Sequence, residues 1–241
     1  MTFSIVAFDP ANGDLGVAVQ SKFPNVGVSI PFARAGVGAV ATQCYCNTSY
    51  GPRGLALLEN GASPDQAVAI LTGNDAQRDY RQLGIIDAQG RAASFTGANC
   101  FDWAGSLQGT CCAAQGNTLA GPRVVEAMVR TFETTPGPLA VRLMAALQAG
   151  QATGGDRRGQ QSAALKVARA SGGYGGFDDR YVDISVYDHP TPIVELERLY
   201  AIHRLTYFRS DPDQLVEIDT AIANELQQIL HARSFYKGVA S

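Results

Sequence analysis

The chain reads as an α+β protein, a layered sandwich of mostly antiparallel sheets, and three observations predict it. Short apolar runs joined by turn residues recur as hairpins, helical segments arrive in consecutive pairs between them, and the strict strand–helix alternation of a doubly wound parallel sheet is missing. With 241 residues, 46% of them hydrophobic and 17% charged, the chain is rich enough in apolar side chains to bury a sizeable core.

Thr2 to Phe8 alternates and is rich in β formers, Asp9-Pro10-Ala11-Asn12-Gly13-Asp14 is dense in turn residues, and Leu15 to Val19 is apolar again, which predicts a hairpin opening at the second residue. Val26 to Phe32 and Val37 to Thr42 read as two more strands about an Arg34-Ala35-Gly36 turn. Leu55, Leu57 and Leu58 before Asn60-Gly61 mark one helix, and Ser63-Pro64-Asp65 opens another that carries Ala67, Val68, Ile70 and Leu71. Gln82 to Asp87 and Arg91 to Thr96 flank a second hairpin turn, and strand structure is expected between Trp103 and Gln115. Leu119 to Phe132 and Leu139 to Leu147 have helical spacing. Ser162 to Ala168 and Tyr181 to Tyr187 are strands about the glycine run 172–176, and Pro192 to Tyr207 is a helix. From Ser210-Asp211-Pro212 a last amphipathic helix is expected, with Leu215, Ile218, Ile222, Leu226 and Ile229 along one stripe. This divides the chain into a domain of residues 1–209 and an appendix of residues 210–241.

A net charge of −3, without basic blocks, argues against a nucleic-acid or polybasic membrane role. The start lacks the basic and unbroken apolar parts of a signal peptide, so a cytoplasmic location is expected. Five cysteines, an odd number, favour free thiols over a disulfide framework. Gly36-Val37-Gly38-Ala39-Val40-Ala41 fits a dinucleotide-binding pattern, but a strand rather than a helix N-terminus follows it, so no dipole is available for a pyrophosphate. Neither a P-loop nor a G-x-S-x-G elbow is present. Asp178, Asp179 and Asp183 read as an acidic turn leading into a strand rather than a cation site, and no metal is expected.

Thr2 stands directly after the initiator methionine, at the first position of a strand. Removal of Met1 would place an α-amino group and Oγ on one residue, the nucleophile and base pair of N-terminal threonine catalysis. Such an amine has an ordinary pKa of about 8, well matched to neutral pH.

Thr2-Phe3-Ser4-Ile5-Val6 with Gly16-Val17-Ala18-Val19-Gln20-Ser21-Lys22 resembles the opening hairpin of N-terminal nucleophile (Ntn) hydrolases. Residues 33–43, Ser49-Tyr50-Gly51-Pro52-Arg53-Gly54, Gln115-Gly116-Asn117-Thr118-Leu119-Ala120-Gly121 and residues 154–165 are similar to the bacterial domain-of-unknown-function family 1028, assigned to that superfamily. The resemblance spans about residues 2–207. It implies a four-layer αββα sandwich and an amidohydrolase without a cofactor, acting on a small-molecule substrate. Thr2 would be nucleophile and, through its amine, base. Arg34 lies near the lysine that such enzymes keep beside the nucleophile, Gln20 falls where they keep an aspartate, and Asp156 and Ser162 match the aspartate and serine near the amine. Asn117 would serve the oxyanion, and Gln20, Ser21, Gln43 and Arg53 make up the substrate-binding set. The rival from another class is a non-catalytic small-metabolite binder of the same fold, with an assembly protein working through residues 211–232 as a third; a homodimer is the expected oligomer.

Overall fold

The computed structural model describes residues 2–208 and 215–238. By its internal packing the chain forms two units, Met1–Leu205 and Thr206–Ser241. The first is a mixed α+β unit built on two sheets, and every pairing between its named strands is antiparallel.

β1 (Thr2–Asp9) and β2 (Asp14–Ser21) form the expected hairpin, closed by Asp9 opposite Asp14. The Asp9 Oδ1 accepts the Ala11 N–H at 3.1 Å, and Gly13 supplies the positive φ of 79° that the turn needs. β3 (Pro31–Arg34), β4 (Gly38–Cys44), β5 (Arg81–Asp87) and β6 (Ala92–Thr96) follow in sequence as a four-stranded meander. β7 (Gly105–Gly109) and β8 (Cys112–Gly116) turn tightly at Thr110-Cys111 and return the chain to β1, while β9 (Ser162–Ala168) and β10 (Arg180–Val186) extend the other flank. The six-stranded sheet has the order β10-β9-β2-β1-β8-β7.

Period-two alternation gives each sheet an inward and an outward face. Val6, Leu15, Val17 and Val19 of one sheet meet Ala39, Ala41 and Ile86 of the other in a single buried cluster between them. On the far side of the four-stranded sheet, Val40, Leu83 and Ile85 pack with Tyr50, Leu55, Leu58, Ala67 and Leu71 of α1 (Tyr50–Glu59) and α2 (Pro64–Gly73). The start of α2 is fixed by a complete capping box between Ser63 and Gln66 with Pro64 in the first turn. α3 (Arg123–Thr134) and α4 (Leu139–Ala152) pair with each other and lie against β1, β2, β7, β8 and β9. Their buried faces carry Val124, Met128, Phe132, Leu143 and Leu147. α5 (Pro192–Tyr207) buries Ile193, Leu196 and Tyr200.

Three expected elements differ. Val26 to Phe32 is not one strand: residues 26–28 form a 3-10 turn and β3 starts only at Pro31, because the Val26 N–H is taken by Ser162 Oγ at 3.1 Å and the Ile30 N–H returns to the Val26 carbonyl. Leu119 does not open a helix but bridges to Asp156, and α3 begins at Arg123, after Pro122. In the second unit the helix is α6 (Thr220–Ala232), started by the Asp219 carboxylate accepting the Ile222 N–H at 2.8 Å, so Leu215 and Ile218 precede it. Ser210-Asp211-Pro212 lies outside the described residues. No described helix is long and apolar enough to cross a membrane.

Candidate active site

Strand register brings four of the sequence-predicted residues into one row. Thr2 lies directly across from Ser21, Ser21 directly across from Ser162, and on the other flank the Asn117 N–H donates to the Thr2 carbonyl at 3.0 Å. The row closes one end of the space between the sheets. The Thr2 side chain is almost wholly buried, with 3% of the residue exposed, and its Oγ1 hydrogen-bonds Ser21 Oγ at 3.1 Å. Ser162 Oγ donates to the Phe23 carbonyl at 2.5 Å.

The facing strands of the second sheet bring amides to the same end. Gln43 Nε2 reaches Gln82 Oε1 at 2.8 Å and the carbonyls of Thr2 and Gln115 at 3.3 Å each, while its Oε1 accepts from Ser4 Oγ at 2.7 Å. Gln82 Nε2 is held by the Gly116 carbonyl at 2.8 Å and Thr96 Oγ1 at 3.0 Å, so its Oε1 is turned to accept from both Gln43 and Asn117 Nδ2, the latter at 2.9 Å. Gln115 Nε2 donates to Ser4 Oγ at 2.6 Å, and its amide occupies the space left by Gly84, where a Cβ would stand 2.1 Å from Gln115 Oε1. All of these side chains except Thr96 belong to fully buried residues. Two acceptors in the network, Gln115 Oε1 and Asn117 Oδ1, are buried without a protein partner, as few buried polar atoms are.

Beside this network, Asp156 organises the loop before β9. Its buried carboxylate is gripped by Arg158, through Nη2 at 2.7 Å and Nε at 3.1 Å, and accepts the Lys22 N–H at 3.3 Å, while Gln161 N–H donates to the Ser21 carbonyl at 3.0 Å. Asp156 thus braces the backbone immediately after Ser21.

Three sequence-predicted residues are not in this group. Arg34 stands across from Gly38, at the opposite end of β4 from Gln43, and forms an exposed ion pair with Glu59 at 2.7 Å. Arg53 is exposed on α1, which covers the outer face of the four-stranded sheet. Gln20 pairs across from Phe3, so its side chain leaves the sheet on the face opposite that of Thr2. There Nε2 meets the Gly159 carbonyl at 3.5 Å and Oε1 has no protein partner. Sequence reasoning missed Ser4, Gln82 and Gln115. The available signal was a polar residue at an inward position of an otherwise apolar strand.

On the outer, helix-covered side of the four-stranded sheet, Asp75 accepts from Arg81 Nε at 2.9 Å, Tyr50 Oη at 2.9 Å and the Gln77 N–H at 2.8 Å. The Arg81 guanidinium above all holds its carboxyl well below the usual carboxylate range, and burial with this partner raises the Tyr50 phenol. Asp178 and Asp183 are used in ion pairs with Arg180 and Lys166, and Asp179 accepts the Ala35 N–H at 2.8 Å. Among the described residues no three His, Cys, Asp or Glu side chains are grouped to hold a metal ion. The five cysteines are free thiols.

The architecture defines a class first: an antiparallel two-sheet α+β protein whose N-terminal strand begins in a buried hydroxyl cluster. The model of a family of unknown function, DUF1028, matches residues 2–196, and the chain belongs to that family. It is similar to the crystal structure of protein SPO2555 from Silicibacter pomeroyi, of the same family, at 34% identity and TM-score 0.78, covering 84% of this chain and 86% of that one. Anbu, the ancestral β-subunit from Yersinia bercovieri, aligns at 13% identity and TM-score 0.39 over 90% of this chain and 100% of that one. No curated protein matches.

Proposed function

We propose that the chain is an amidohydrolase of the N-terminal nucleophile type, with the four-layer αββα sandwich of that superfamily, in which Thr2 becomes the first residue once Met1 is removed. One observation carries the reading: the first residue of β1 presents a buried hydroxyl, bonded to Ser21, into the polar end of the inter-sheet space. In this mechanism Thr2 Oγ attacks the carbonyl carbon of a small amide while its proton passes to the α-amine. The amine returns that proton to the leaving nitrogen as the C–N bond breaks, and water hydrolyses the acyl ester. Asn117 is suited to two duties. Its Nδ2 has a second hydrogen beyond the one given to Gln82, available to an oxyanion, and its Oδ1 is an open acceptor for the new α-amine. Ser21 and Ser162 complete the hydroxyl row, and Asp156 positions Ser21. The partners given above for Gln43, Gln82 and Asn117 are uncharged, so burial rather than an ion pair would keep the amine neutral near pH 7.

That same neutrality favours the second reading, a small-metabolite binder whose ligand satisfies the open amide oxygens. A screen of small amides with the native-sequence protein and with Thr2→Ala separates the two. Hydrolysis by the first and none by the folded variant supports the enzyme; equal hydrolysis by both, or reversible binding without turnover, overturns it.

A further inference from the structure

Cys44, at the end of β4, and Cys100, in the loop after β6, both lie beside Arg81, and the mechanism above uses neither. Cys44 ends β4 immediately after Gln43, with a left-handed φ of 68°, and lies directly across from Arg81. Cys100 Sγ donates to the Arg81 carbonyl at 3.4 Å, so the residue that pairs with Cys44 across the sheet also holds the Cys100 thiol. The residues that follow them are also neighbours: the Tyr45 and Phe101 rings stand 6.2 Å apart, and Tyr45 meets Tyr80 edge-on at 5.8 Å. The two thiols differ in access, Cys44 being half-buried and Cys100 buried.

We propose that Cys44 and Cys100 form a redox-active dithiol, with Cys44 attacking and Cys100 resolving, that is oxidised by small-molecule disulfides. The Cys44 thiolate attacks one sulfur of the disulfide, forming a mixed disulfide and expelling one thiolate. Cys100, losing its proton, then attacks the Cys44 sulfur, forms the Cys44–Cys100 bond and expels the second thiolate. The protein loses two electrons, the small disulfide gains them, and the two thiol protons end on the two released thiols. The neighbouring Cys100 thiol lowers the Cys44 pKa to about 6, whereas burial pushes Cys112 up to about 12 and raises Cys46, whose thiol is spent on the Thr42 carbonyl at 3.2 Å. Of the pair, Cys44 is the point of attack, being half-buried where Cys100 is buried. The Phe101 carbonyl accepts the Thr118 N–H at 2.8 Å, which ties this loop to the residue after Asn117.

The test treats the full chain with oxidised glutathione, blocks remaining thiols and maps the peptides. The expected product is one Cys44–Cys100 crosslink, reversed by dithiothreitol. Cys100→Ser should instead stop at a single glutathione on Cys44. A crosslink between other cysteines, or none, overturns the proposal, as does an adduct in Cys100→Ser that avoids Cys44. The wild-type map needs no variant to fold. Its readout uses no amide substrate, so it succeeds or fails independently of the role of Thr2.

Discussion

The space between the two sheets has two unlike ends built from the same strands. At the hairpin end, Val6, Leu15, Val17, Ala39, Ile86 and Ala113 form a dry, close-packed cluster. At the other, Thr2, Ser4, Ser21, Gln43, Gln82, Gln115 and Asn117 are equally buried but polar. On β1 the change takes one alternation, from Val6 to Ser4. The apolar end removes hydrocarbon from water at about 25 cal/mol per Å², a direct gain for folding. The polar end gives up hydration and recovers only what its hydrogen bonds return, with two acceptors left open. A fold selected for stability alone would extend the valines; the proposed reaction at Thr2 gives a reason for the polar groups kept there.

That contrast is broken most severely at the dry end. Ile86→Ala should cost about 3 kcal/mol, the transfer loss plus a residual cavity, and leave chemistry at Thr2 intact in the folded fraction; denaturant unfolding reads the first and labelling the second. At the wet end, Gln82→Ala strands donors from Gln43 and Asn117, and about 2 kcal/mol of destabilisation is expected together with a loss of Thr2 reactivity. If both variants lose stability and reactivity in proportion, the two ends are not functionally distinct.

The outer side of the four-stranded sheet sharpens the comparison through pH. Because the folded Asp75 carboxyl is held below its unfolded value of about 4, its stabilisation is complete above that value and is lost as pH falls from about 4 through the depressed folded pKa. Wild-type stability between pH 6 and pH 3 should therefore fall more steeply than that of Asp75→Asn, measured by urea midpoints. The smallest effect belongs to Arg34→Ala. Its ion pair with Glu59 is exposed, so the change should cost under about 1 kcal/mol and leave any activity unaltered. A large loss of activity there would return Arg34 to the site.

Local patterning made most of the fold legible. The β1–β2 hairpin, the β5–β6 hairpin and the paired helices carry their alternation, caps and turn residues within a few positions. What failed depends on distant partners. The strand expected at Val26 yields to a hydroxyl from Ser162, 136 positions away, and Leu119 is claimed by Asp156 before a helix can start. Of the residues the sequence singles out, Thr2, Ser21, Asn117 and Ser162 lie in one row, and Gln43 faces it. Ser4, Gln82 and Gln115 were not singled out, since a buried glutamine gives no local sign of the partner it meets across two sheets. Gln20 and Arg34, both implied by the resemblance, lie away from this group, Gln20 on the other face of its sheet and Arg34 at the far end of β4.

The most direct measurement is the intact mass of the untagged native-sequence protein before and after treatment with an acylating electrophile, followed by peptide mapping. The account predicts a chain lacking Met1 and a single adduct on Thr2, absent from Thr2→Ala. A chain that retains Met1 throughout, or an adduct that maps elsewhere and survives in Thr2→Ala, would contradict it.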